Sequence, residues 1–238
     1  MIEVNHVFKK YEGNDFYSSN DISFHIEKNT VCGLLGNNGA GKSTMMKMLS
    51  TVYKPTKGNI LIDKMDTLES PIDIKKKLGI VFETPRLFEG LTGDENIKYF
   101  ASLFNIDKNL VEERIKIMYK DLEVDFQDKV VNMYSKGMKQ KISIIRALVT
   151  DPKIILMDEP TSGLDIVSRN LIRNYISKLK NKTIVITSHV AEDVESLCDK
   201  VVILKKGKVF EDTDIDSLKE KYKASSFEEA YVKIQRKE

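Results

Sequence analysis

The stretch Gly36-Asn37-Asn38-Gly39-Ala40-Gly41-Lys42-Ser43-Thr44 fits the phosphate-loop pattern G-x-x-x-x-G-K-[ST] in full. Val31-Cys32-Gly33-Leu34-Leu35 precedes it and reads as a buried strand. Met45, Met48 and Leu49 follow it and share one side of a helix. A polyphosphate is highly anionic and needs many donors at short range. Glycines let the backbone approach and turn its N–H groups inward, and a helix N-terminus adds the positive end of a dipole. In this setting Lys42 reaches the β- and γ-phosphates and the Ser43 hydroxyl is a ligand for Mg²⁺. A glycine turn ahead of an ordinary helix is the competing reading. It does not account for a strand, three glycines, Gly-Lys-Ser and a helix all coming together.

A chain of 238 residues buries a proper core without staples. Its net charge is +2, and the positive charge is mostly lysine spread along the chain, so no nucleic-acid partner is indicated. Cys32 and Cys198 lie far apart and make no disulfide framework, which fits a reducing compartment. Met1-Ile2-Glu3-Val4-Asn5-His6 lacks the basic start and apolar run of a secretory signal. No stretch approaches the ~18 apolar residues of a membrane span, so membrane work is expected of a separate subunit.

Strand-like runs lie at Val31–Leu35, 59–62, 78–82, 153–157, Thr183–Thr187 and 201–204. Most are continuous apolar blocks, as expected of strands covered on both faces. Helical patterns separate several of them, so the expected fold is α/β with a parallel core sheet. Residues 2–24 alternate loosely and fit an antiparallel β edge. Residues 85–150 read as helix after helix. There Thr92-Gly93-Asp94-Glu95 is a capping box, and Ile97, Phe100, Ala101 and Phe104 fall on one face. The expected organisation is one domain over 1–238. Residues 1–84 and 151–211 form its core, 85–150 an inserted helical subdomain, and 212–238 a charged tail with two short helices.

A second acidic motif narrows the chemistry. Ile154-Ile155-Leu156-Met157 forms a buried strand, and Asp158 and Glu159 stand at its C-terminal end, where ligands bind in α/β sheets. Asp158 is placed to hold the Mg²⁺ shell opposite Ser43. Glu159 is placed to orient the attacking water or take its proton. His189 follows the strand Thr183–Thr187 on the same sheet edge, in reach of a γ-phosphate; an exposed or structural histidine is the plainer reading. Ser135 reads as the N-cap of a helix over 142–148, a signal that by itself occurs in many proteins.

In this combination and order the motifs resemble those of the ATP-binding subunit of ABC transporters, over residues 2–208. Residues 36–44 match its Walker A loop and 154–159 its Walker B strand, and Tyr134-Ser135-Lys136-Gly137-Met138 stands at the Leu-Ser-Gly-Gly-Gln signature. Ser162-Gly163-Leu164-Asp165 is similar to the D-loop, His189 to the switch histidine, and Tyr11 to the aromatic residue that stacks on adenine.

The resemblance implies an ATPase fold with the P-loop core, antiparallel edge and helical insertion given above. It implies ATP and Mg²⁺, a second nucleotide-binding subunit facing the first head to tail, and an integral membrane permease. Ser135, Gly137 and Asp165 would then serve the ATP held by the partner's phosphate loop. Three positions depart from the family pattern: Lys136 and Met138 replace Gly and Gln in the signature, and Glu83 stands where the Q-loop glutamine is expected. Met138 lacks an amide's hydrogen bonds, whereas Glu83 still offers an oxygen to Mg²⁺ or its water.

Ser-Lys-Gly-Met-Lys-Gln, Leu49-Ser50-Thr51, Glu195-Ser196-Leu197-Cys198-Asp199 and Ser226-Phe227-Glu228-Glu229-Ala230-Tyr231 are similar to bacterial sodium-export and drug-resistance ATPases. That similarity leaves sodium ion, an antimicrobial peptide or a drug as the cargo. The alternatives are a soluble ABC ATPase acting on ribosomes or DNA, and a regulatory nucleotide-binding module of low turnover. The first usually carries paired ATPase domains or a long coiled-coil insertion, which this sequence does not show.

Overall fold

The computed structural model describes residues 1–236. The chain begins with β1 (Ile2–Lys10) and β2 (Tyr17–Ile26), an antiparallel pair in which Ile2 faces Ile26 and Val4 faces Phe24. Next come β3 (Val31–Leu35), α1 (Lys42–Leu49), β4 (Lys57–Ile62), β5 (Met65–Asp66), α2 (Pro71–Lys77) and β6 (Leu78–Val81). Three helices follow, α3 (Gly93–Ser102), α4 (Lys108–Asp121) and α5 (Lys136–Leu148), before β7 (Ile154–Asp158). Then come α6 (Ile166–Ser177), β8 (Thr183–Thr187), α7 (Ala191–Leu197), β9 (Lys200–Lys205), β10 (Lys208–Asp214), α8 (Ile215–Lys221) and α9 (Phe227–Arg236).

Two sheets result. One is antiparallel, in the order β2-β1-β4-β5; the other has the order β10-β9-β3-β8-β7-β6. In the second sheet β9, β3, β8, β7 and β6 run parallel and β10 closes one edge antiparallel. The continuous apolar runs follow from burial on both faces. Cys32, Leu34, Ile154, Leu156, Val185, Val202 and Leu204 point to a core shared with α1 and the antiparallel sheet. Leu35, Ile155, Met157, Ile184, Ile186, Val201 and Ile203 point to the opposite core, which takes in the later helices.

The antiparallel part is a sheet of its own rather than a border of the parallel one. The run at 59–62 belongs to it: Ile60 and Ile62 turn inward while Leu61 is half-buried, because only one face of this strand is covered by core. β10 was not among the expected strands. It is made by the tight turn at Lys206 and Gly207, both at positive φ, which returns the chain beside β9.

Between β6 and β7 the regular elements are helical, with one isolated bridge joining Thr92 and Val130. The capping box is formed at both ends: Thr92 Oγ1 accepts from the Glu95 N–H at 3.1 Å and Glu95 Oε2 accepts from the Thr92 N–H at 2.8 Å. Ile97 and Ala101 carry the buried face of α3. Two helices close the described chain, and α9 anchors through buried Phe227, Ala230 and Ile234. Among the described residues no helix is long and apolar enough to cross a membrane.

Candidate functional site

All five parallel strands end on one edge of the sheet, so the residues that follow β3, β7 and β8 meet there. The loop after β3 needs its glycines. Gly36 has φ +147°, and a Cβ there would lie 2.3 Å from the Leu204 carbonyl oxygen. Gly41 has φ +108°, and its Cβ would meet the Ser18 carbonyl oxygen at 2.6 Å. The loop closes on itself where the Ala40 N–H donates to the Asn37 carbonyl at 3.0 Å, and Gly41 caps α1. Asn37, Asn38, Gly39 and Ser43 are exposed at its rim, while Ala40 and Thr44 are buried.

Lys42 is buried and folds back on the loop. Its ammonium donates to the Gly36 carbonyl at 2.6 Å and to that of Asn37 at 3.3 Å. Burial lowers its pKa, and the nearby carboxylates of Glu159 and Asp158 oppose that shift.

Asp158 ends β7, and Thr187 ends the neighbouring β8. The Thr187 hydroxyl donates to Asp158 Oδ1 at 2.7 Å and accepts from the Glu159 N–H at 2.9 Å. Glu159 takes φ +49°, rare for a glutamate, and this turns its side chain inward until it is only 7% exposed. Its Oε2 accepts from the His189 N–H at 3.2 Å. Its Oε1 lies 3.0 Å from His189 Nε2, a close approach without the geometry of a hydrogen bond. Burial raises the Glu159 pKa above the usual carboxylate value, while His189 and Lys42 pull it back. Lys42, Asp158, Glu159 and His189 therefore form one group. Glu83 is exposed just past β6, and the pairing of Val81 with Met157 brings its segment to the Asp158 end of β7.

The other expected residues form a second group. Ser135 caps α5 and its Oγ accepts from the Met138 N–H at 3.2 Å. Asp165 caps α6 and accepts from the Ser168 N–H at 2.9 Å, a bond that holds its pKa below the usual value. The starts of α5 and α6 lie close together: a Cβ on Gly137 would lie 3.1 Å from Ser168 Oγ, and one on Gly163 would lie 2.5 Å from Lys136 Nζ. Among the described residues no hydrogen bond or ion pair joins this group to the phosphate loop, Asp158, Glu159 or His189.

Tyr11 lies beside α1. Its hydroxyl is 3.0 Å from Thr44 Oγ1, and its ring meets Tyr53 edge to face at 5.6 Å, with Lys9 Nζ 5.5 Å from both ring centres. Sequence reasoning missed Tyr53 and Thr187. A polar residue closing the otherwise apolar run Thr183-Ile184-Val185-Ile186-Thr187 was the available signal for Thr187; Tyr53 had none.

The ABC transporter family profile matches residues 19–162. The chain belongs to the ABC transporter family. It is similar to the ABC transporter ATP-binding protein NatA of Bacillus subtilis (strain 168), 42% identical over 84% of this chain and 83% of that one. The bacitracin transport ATP-binding protein BcrA of Enterococcus faecalis is 34% identical over 92% of this chain and 70% of its own. Among solved structures, a dimeric post-hydrolysis state of an ATP-binding cassette bound to ADP and Pi superposes with a TM-score of 0.82 at 28% identity. That match covers 90% of this chain and 98% of the other. The chain is thus an ABC ATP-binding subunit, an ATPase, of a kind that dimerises and works with membrane permeases.

Proposed function

We propose that the subunit hydrolyses ATP at composite sites in a head-to-tail pair of chains and that closure of the pair drives export through a separately encoded permease. The separation of the two residue groups supports this reading most. Lys42, Asp158, Glu159 and His189 stand together, while Ser135, Gly137 and Asp165 lie on the adjoining starts of α5 and α6, and no side-chain bond links them to the first four.

In this reading the amides of 36–44 and Lys42 hold the β- and γ-phosphates, and Tyr11 takes the adenine. Ser43, Asp158 and Glu83 supply hard oxygens that suit Mg²⁺. Thr187 engages one oxygen of Asp158, Oδ1, through a single hydrogen bond. Bound there, Mg²⁺ neutralises phosphate charge. Glu159 orients the attacking water and takes its proton, and its raised pKa suits a base. His189 holds Glu159 and contacts the γ-phosphate. Ser135 and Gly137 close the site of the partner, and Asp165 links the two sites.

Residues 1–84 and 151–211 act as the ATP-binding core, 85–150 as a helical subdomain facing the permease, and 212–238 as a tail; of this tail Lys237 and Glu238 lie outside the described residues. The chain works on the cytoplasmic face of the membrane. The permease selects the cargo, a sodium ion, an antimicrobial peptide or a drug, and the likeness to a bacitracin transport protein supports the peptide.

Replacing Glu159 by Gln tests the assignment. Hydrolysis should fall by roughly a hundredfold or more while ATP still binds and now holds the subunits as dimers in size-exclusion chromatography. Hydrolysis at the wild-type rate would remove Glu159 as the base.

A further inference from the structure

Asp193, on α7, is 1% exposed and has no part in the reading above. Its two oxygens gather three segments of chain. Oδ1 accepts from Arg173 Nε at 2.9 Å and lies 2.8 Å from Arg173 Nη2. Oδ2 accepts from the Thr161 hydroxyl and, at 3.4 Å, from the Ser188 hydroxyl. Thr161 stands two residues after Glu159. Ser188 immediately precedes His189, and its Oγ accepts from the Val190 N–H at 3.0 Å. Arg173 lies on α6, the helix that Asp165 caps, and its Nη1 also meets Glu192 at 2.6 Å.

A buried carboxylate is tolerated only when its lone pairs are met, and an arginine fork meets them well. An ion pair that merely pins α7 to α6 accounts for Arg173. It does not account for Thr161 and Ser188. These two flank Glu159 and His189, the residues that face each other, and both end on the remaining oxygen.

We propose that Asp193 is a positioning residue for hydrolysis, which locks the segments carrying Glu159 and His189 to the helix that begins at Asp165. This rests on the assignment of Glu159 and His189 made above. Asp193 reaches no nucleotide atom itself; it acts through the spacing of the pair. A displacement of α6 at Asp165 is thereby passed to the Glu159–His189 contact through one side chain.

The test uses the full chain with Thr161→Val, Arg173→Lys and Asp193→Asn. We expect kcat to fall about tenfold in Thr161→Val and about a hundredfold in Asp193→Asn, with Kd for ATP within about twofold of wild type. Arg173→Lys keeps the charge but loses the fork, and falls between them. Adding Thr161→Val to Asp193→Asn should cost nothing further, because both act through the same oxygen. A purely structural ion pair predicts otherwise. Asp193→Asn would then lose Tm, ATP affinity and kcat together, and Thr161→Val would turn over normally; that pattern overturns the proposal. Should Asp193→Asn fail to fold, Thr161→Val decides alone, since it leaves the ion pair intact. Glu159→Gln is the control. If it stays active, the base assignment fails; if it is inactive while Thr161→Val is normal, only the positioning role fails.

Discussion

Glu159 occupies a backbone conformation that glutamate seldom takes, at φ +49°, and a threonine one strand away holds it there. Left-handed backbone at a non-glycine residue costs on the order of 1–3 kcal/mol and persists where neighbours over-determine it. Here the Thr187 hydroxyl fixes the Glu159 N–H and the Asp158 carboxylate at once. Thr187→Val keeps the size and removes both bonds. It should destabilise the fold by about 0.5–1.5 kcal/mol in urea titration, since it takes the donor from half-buried Asp158 Oδ1, and it should slow turnover. Unchanged stability would show that the hydroxyl is dispensable. Cys32 offers a pH test. Burial pushes its thiol up to about 12, so the thiolate is scarce at any lower pH. The Cys198 thiol is raised as well, again by burial. At pH 8 neither should react with an aromatic disulfide reagent while the chain is folded, and both should react in denaturant. Rapid labelling of the folded chain would contradict the burial described.

At the scale of elements, helix α3 shows how local chemistry fixes a boundary. Thr92 and Glu95 exchange bonds across the first turn, and that pair was legible three residues apart in the sequence. Thr92→Ala should lower stability by about 1 kcal/mol, read from the urea midpoint at constant slope. A larger loss, or a changed slope, would mean that Thr92 also holds the bridge to Val130. The core strands were legible because both faces are apolar, so each appears as an unbroken block. β10 was not, since Lys208–Asp214 carries charge on an edge and depends on a turn at Lys206 and Gly207. The same contrast holds in the site. Lys42, Asp158, Glu159 and His189 stand at or shortly after strand ends, so their gathering on one sheet edge was readable. Thr187 acts on a residue 29 positions away, and Asp193 on one 32 positions away; no local pattern announces either.

At the scale of the whole molecule, the proposed function divides the candidate residues of one chain into two half-sites. One is the phosphate loop with Asp158, Glu159 and His189; the other is the pair of helix caps at Ser135 and Asp165. In the proposed head-to-tail pair, two chains would complete two sites at once, and a closed two-fold arrangement would leave no half-site over. Mixing two defective chains tests this most directly. Lys42→Ala spoils the phosphate half and Ser135→Arg the signature half, so each alone should be inactive. In a one-to-one mixture, half of the randomly paired dimers hold one intact site of two. Hydrolysis should therefore return to roughly a quarter of the wild-type rate. A mixture as inactive as its components, under conditions where the chains are shown to pair, would contradict the composite site.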